Sequence, residues 1–170
     1  MSHFKYLKKK LFVENISIQN IVKKNKTPFY LYSEQQIKKN YLNFTQIFRN
    51  VKPLVCFPAK ANTNLKVMKI LSKLGSGADV VSAGELLKAL KAGIKPNKIV
   101  FSGVGKTEEE LELAIRKKVL LINVESESEA ILINRIGKRI NKIISIGFRL
   151  NPNVDAKTHK KISTGKAENK

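Results

Sequence analysis

The chain has 170 residues, 42% of them hydrophobic, and carries 33 lysines and arginines against 13 acidic residues, a net charge of +20. That length suffices for one domain with a real core, and no stretch approaches the roughly 18 consecutive apolar residues of a membrane span. The lysine-rich start lacks the apolar core of a signal peptide, so a cytoplasmic location without a membrane partner is expected.

Short runs of β-branched and apolar residues recur as Leu54 to Phe57, Ala78 to Val81, Ile99 to Phe101, Leu120 to Val124 and Ile143 to Arg149, about 21 to 24 residues apart. Between them lie segments with apolar residues at helical spacing: Leu65, Met68, Leu71 and Leu74; Leu86 and Leu90; Leu111, Ala114 and Ile115; Ala130, Ile133 and Ile136. Four helices open with the capping-box pattern, Ser33/Gln36, Ser82/Glu85, Thr107/Glu110 and Ser126/Glu129. Gly75, Gly93 and Gly137 stand where C-caps are expected. Strand and helix alternating at this period predict parallel pairing through right-handed crossovers, an α/β fold.

A Rossmann sheet would want Gly-x-Gly-x-x-Gly after an early strand, and none is present. Ser102-Gly103-Val104-Gly105-Lys106-Thr107 imitates a phosphate loop but has Val100 where that pattern needs its first glycine. Uniform βα units with short loops suit a (β/α)8 barrel, whose chemistry sits at the C-terminal ends of the strands. Five units are fewer than eight, so the chain reads either as a small open sheet or as part of a barrel. The polar run from Asn151 onward predicts no further strand or helix and favours the part.

Lys60 occupies such a strand end, in Cys56-Phe57-Pro58-Ala59-Lys60-Ala61-Asn62, and Asp79, Ser102 and Arg149 lie at or near others. A lysine there is either a solvated turn residue, as befits one of 28, or an amine put to chemical use as a Schiff-base former. Cys56 has no internal disulfide partner and reads as a packed thiol. His3 and His159, the two histidines, offer no metal-site spacing.

The net charge invites a nucleic-acid reading, because lysines release counterions from any phosphate backbone. Against it, lysines outnumber arginines 28 to 5 and spread over every predicted helix and loop, and no aromatic-interleaved basic platform appears. A non-catalytic basic module with salt-dependent binding is the alternative this charge supports; specific nucleic-acid recognition is not expected.

Several ordered segments resemble the pyridoxal-phosphate-dependent decarboxylases of the alanine-racemase-like barrel fold. They are Thr27-Pro28-Phe29-Tyr30-Leu31-Tyr32, Ala59-Lys60-Ala61-Asn62, the run Gly75 to Glu85, the run Val100 to Thr107, Asn123-Val124-Glu125-Ser126, the run Arg149 to His159, and Ile162-Ser163-Thr164-Gly165. The likeness covers nearly everything from Thr27 to Lys170, and its Asp-Ala-Lys-Thr-His and Ile-Ser-Thr-Gly elements resemble the diaminopimelate decarboxylases more than the ornithine or arginine enzymes, which stay as the alternative.

The resemblance implies a partial (β/α)8 barrel of about five βα units over residues 35–170, preceded by a segment, 1–34, that lends a strand to a C-terminal β-domain. It implies that Lys60 holds pyridoxal 5'-phosphate as an internal aldimine, and that the activity is release of carbon dioxide from meso-2,6-diaminopimelate to leave L-lysine, with a homodimer as the working assembly. Asp79 matches a cofactor-side acid, or shapes a turn; Glu85 matches a family carboxylate, or simply caps its helix. Arg149 either approaches the cofactor or makes an ordinary ion pair. Asn62 is expected to orient the lysine loop, and His159 to lie near the substrate mouth or the dimer partner, or in a solvated loop. Phe57 and Pro58 stand where the family usually has Tyr and Ala, and Pro58 would remove a ladder hydrogen bond from a central strand. The family's glycine-rich phosphate loop, the acidic partner of the pyridine nitrogen, a later histidine and the β-domain with its substrate-side cysteine are expected beyond residue 170, so this polypeptide alone is not expected to catalyse.

Overall fold

A computed structural model describes residues 3–154 apart from Arg49 and Lys52. Strands β1 (Phe4–Leu7), β2 (Lys10–Val13) and β3 (Ile16–Ser17) form an antiparallel sheet in that order, followed by the short helix α1 (Ile18–Val22). The resemblance implies a strand in this segment, and the fold has three. The β1–β2 turn places Lys8 and Lys9 at φ 46° and 63°, the geometry of a two-residue hairpin turn, and neither is the Asn or Gly that normally announces one.

Helix α2 (Glu34–Ile47) is tied to this sheet at its first turn. Glu14 Oε1, just past β2, accepts from Ser33 Oγ at 2.7 Å and from the Gln35 amide at 3.0 Å, while Ser33 Oγ caps the Gln36 amide at 3.0 Å. The α2 donors are thereby satisfied by a carboxylate at the positive end of the helix dipole.

The rest alternates: β4 (Cys56–Pro58), α3 (Leu65–Lys73), β5 (Gly77–Val80), α4 (Ala83–Lys91), β6 (Ile99–Phe101), α5 (Glu108–Lys117), β7 (Leu121–Val124), α6 (Glu127–Ile140) and β8 (Ile146–Phe148). The five strands are parallel and pair in chain order, β4-β5-β6-β7-β8. A doubly wound sheet reverses its strand order partway; an order that never reverses, joined by crossovers of one hand, keeps the helices on one side, which is the arrangement of a barrel wall. The helices accordingly pack as neighbours in sequence, α2 on α3 through to α5 on α6. The strands are shorter than the apolar runs suggest: Leu54 and Val55 precede β4, and Ile143 to Ser145 precede β8.

Strand alternation divides the residues cleanly. Ala78, Val80, Ile99, Phe101, Ile122 and Val124 are buried against Met68, Leu86, Leu111, Ile115, Ile133 and Ile136 of the helices, and this is the core. The opposite face carries Gly77 and Asp79 of β5, Val100 of β6, Leu121 and Asn123 of β7, and Gly147 of β8. Gly77 is required: a Cβ there would lie 2.2 Å from the Lys98 carbonyl oxygen.

All four predicted N-caps form, yet only Thr107/Glu110 closes as a reciprocal box. Glu85 and Glu129 instead reach one residue further back, to the amides of Val81 (2.9 Å) and Glu125 (2.8 Å), and the Gln36 side chain accepts from the His3 amide. Gly75 and Gly93 end α3 and α4 at φ 91° and 88° as expected. Gly137 does not end α6: it is buried inside the helix, where a Cβ would come within 2.9 Å of the Lys142 carbonyl, and Asn141 takes the left-handed position instead.

Candidate active site

The lysine that the sequence singles out follows β4 directly. Residues Ala59–Ala61 form one 3-10 turn; Ala59 is fully buried and anchors it, while Lys60 is exposed. Among the described residues none hydrogen-bonds or ion-pairs with the Lys60 ammonium. Asn62 closes the turn, its amide donating to the Ala59 carbonyl at 3.0 Å and its Oδ1 accepting from the Asn64 amide at 2.9 Å. Asn62 therefore shapes the lysine loop, and Asn64 goes on to cap α3.

Pro58 does no damage to the sheet. The Val55 carbonyl accepts from the Gly77 amide, so residues 55 and 57 direct their backbone groups toward β5, and the position of the missing Pro58 N–H faces the open edge. Phe57 packs on the helical core, in register with Ala78.

Pro58 is the register partner of Asp79, which brings the strand end bearing Lys60 beside that carboxylate. Asp79 Oδ1 accepts from Ser102 Oγ at 2.5 Å, and Ser102 Oγ accepts in turn from Asn123 Nδ2 at 3.0 Å. Three half-buried side chains from β5, the end of β6 and β7 thus form one polar row at the C-terminal rim. Cys56 lies deeper on the same face; burial, with the Asp79 charge as a smaller contribution, pushes its thiol pKa up, the behaviour of a packed thiol and not of a nucleophile.

The other predicted residues divide. Glu85 holds the start of α4 through Val81 and Ser82, so its helix-capping role is the one the geometry shows. Arg149, just past β8, is half-exposed and pairs with Glu125 at 3.4 Å. His159 and the Ile162 to Gly165 motif lie outside the described residues.

Lys106 was not singled out by its sequence context except as the lysine of a phosphate-loop imitation, and its surroundings differ from that reading. Its side chain is fully buried; Nζ lies 2.7 Å from Glu129 Oε1 and 2.9 Å from the Asn123 carbonyl, and it also donates to the Gly103 carbonyl. The sequence puts Ser102 at a strand end without giving it a role, and gives Asn123 none. Only the register of β5, β6 and β7 brings them to Asp79.

The donor set fits a pyridoxal group: a primary amine on a turn directly after β4, a hydrogen-bonded carboxylate row across the neighbouring strand ends, and an arginine one strand beyond that row. The singly wound parallel sheet, β4 to β8 in chain order, is that of a barrel wall. The chain belongs to the pyridoxal-dependent decarboxylases, whose pyridoxal binding domain matches residues 34–170. Among curated relatives, the diaminopimelate decarboxylase of Helicobacter pylori strain J99 is 52% identical over 145 residues, covering 85% of this chain and 36% of the relative. That of Haemophilus influenzae is 43% identical over 170 residues, covering 100% and 41%. The crystal structure of the H. pylori enzyme complexed with L-lysine is similar at TM-score 0.86 and 48% identity, over 89% of this chain and 39% of that one. An arginine decarboxylase of Paramecium bursaria Chlorella virus, at 21% identity and TM-score 0.70, shares the fold. The chain spans about two-fifths of the length of the relatives it matches.

Proposed function

We propose that this chain is the cofactor-anchoring portion of a diaminopimelate decarboxylase, which removes one carboxylate of meso-2,6-diaminopimelate as carbon dioxide, puts a proton in its place and leaves L-lysine. The observation that carries the reading is Lys60, exposed on the turn that directly follows the first barrel strand, whose last residue Pro58 pairs with Asp79. The identities of 41–52% to diaminopimelate decarboxylases support this substrate over ornithine or arginine.

Pyridoxal 5'-phosphate supplies an electron sink for the carbanion that decarboxylation creates. Lys60 would hold it covalently through Nζ, and its free amine would be placed to carry a proton. Asp79, oriented by Ser102 and through it by Asn123, would offer a fixed negative group to the cofactor. Asn62 fixes the turn that aims Lys60. Arg149 sits where it can exchange its long contact with Glu125 for an incoming carboxylate, and His159 is assigned to the substrate mouth or the partner subunit. Residues 1–34 are assigned to a β-domain and 35–170 to the barrel, in a cytoplasmic homodimer.

Carbon dioxide release by the whole protein, supplied with meso-2,6-diaminopimelate, ornithine or arginine in turn, tests the substrate. Turnover of the diamino diacid alone supports the proposal, and preference for either of the others contradicts it.

A further inference from the structure

A lysine ammonium has three N–H donors, and in Lys106 all three are taken inside the protein, by a carboxylate and two backbone carbonyls. The carbonyls belong to Gly103, directly after Ser102, and to Asn123, whose side-chain Nδ2 donates to the Ser102 hydroxyl. The ammonium thus grips the chain on both sides of the hydroxyl that binds Asp79. Glu129 neutralises it from the first turn of α6 and also holds the Glu125 amide, so β7's C-terminal end, the loop after β6 and α6 meet at one buried charge. A buried ion pair contributes little net stability relative to apolar side chains of the same volume, whereas three directional bonds confine a loop to one geometry.

We propose that Lys106 is a positioning residue for the cofactor site: paired with Glu129, it sets the Ser102 hydroxyl and through it the direction of the Asp79 carboxylate. This rests on the reading of Asp79 as a cofactor-side residue. With its side chain buried and its three donors taken, Lys106 has none left for cofactor or substrate. A purely structural clamp is the competing role, and coupling to Ser102 separates the two.

The test is a double-mutant cycle on the dissociation constant of pyridoxal 5'-phosphate, measured by fluorescence titration of the whole protein, with melting temperatures of the cofactor-free variants alongside. Lys106→Met/Glu129→Met removes both charges without stranding either, and Lys106→Arg, which keeps the charge but not the three-bond geometry, serves as the second probe. Ser102→Ala is expected to weaken binding about tenfold, each Lys106 variant comparably, and the combinations no more than about tenfold, because they act through the same hydroxyl. Multiplicative losses of about a hundredfold in the combinations, or Lys106 variants that shift melting alone, would overturn the positioning role. Asp79→Asn and Ser102→Ala that both leave the dissociation constant unchanged would instead refute the reading of Asp79, and the positioning proposal with it.

Discussion

The Ser102 hydroxyl donates to the Asp79 carboxylate at 2.5 Å, joining the ends of two adjacent parallel strands at the rim where Lys60 stands. Ser102 also accepts from Asn123, so one hydroxyl satisfies a charged acceptor and an amide donor. Replacing it with alanine leaves both half-buried groups short of a partner. Ser102→Ala should cost about 1–3 kcal/mol in urea denaturation, and Ser102→Thr, which keeps the hydroxyl, should recover part of the loss.

Lys106 and Glu129 make a sharper contrast. Lys106→Ala strands the Glu129 carboxylate beneath the α6 start and should destabilise by about 3–5 kcal/mol. The paired replacement Lys106→Met/Glu129→Met should cost much less, because apolar side chains of similar volume replace a buried pair nearly without loss. Equal losses in the two variants would contradict the buried-pair description.

Two glycines provide an internal comparison. A Cβ at Gly77 would meet the Lys98 carbonyl at 2.2 Å, whereas one at Gly105 would meet nothing within 4 Å. Gly77→Ala should therefore lower stability by at least about 2 kcal/mol as the β5 backbone shifts, and Gly105→Ala should stay within about 0.5 kcal/mol of the parent. Thermal melts of the two variants check the ordering.

Acid stability has a named contributor. Hydrogen bonds from Arg116, then Arg139, hold the Glu112 carboxyl below its ordinary value of 4.5. A pKa depressed on folding adds stability above the ordinary value that is lost as pH falls through the folded one. Glu112→Gln should lower the melting temperature at neutral pH, where that contribution is present, and converge on the parent at acid pH, so that its acid limb is flatter. Added salt should shrink the difference, since the network is exposed; a variant whose acid limb keeps the parent slope would show that this network does not contribute.

The barrel wall was legible because its signals are local: period-spaced apolar runs, N-cap serines and threonines, and Gly75 and Gly93 at helix ends. Lys60 and Asp79 stood out for the same reason, each at the end of a recognisable strand within a recognisable motif. What escaped depends on pairing between strands. Ser102 and Asn123 become partners only through the β6–β7 register, and Lys106 is buried only because Glu129 arrives from the next βα unit. Lys118 and Asn141 take left-handed helix ends at φ 57° and 51° without a glycine to mark them, and Lys8 and Lys9 hide a hairpin turn in the same way. Tertiary packing holds these residues in conformations their own propensities disfavour.

Under the proposed function Lys60 anchors the cofactor. The direct measurement is to incubate the whole protein with pyridoxal 5'-phosphate, reduce with borohydride, digest and locate the pyridoxyl adduct by mass spectrometry. The adduct is predicted on Lys60 at near-stoichiometric yield, and Lys60→Ala should abolish it. An adduct concentrated on another lysine, or spread over many of the 28 with none preferred, would contradict the assignment.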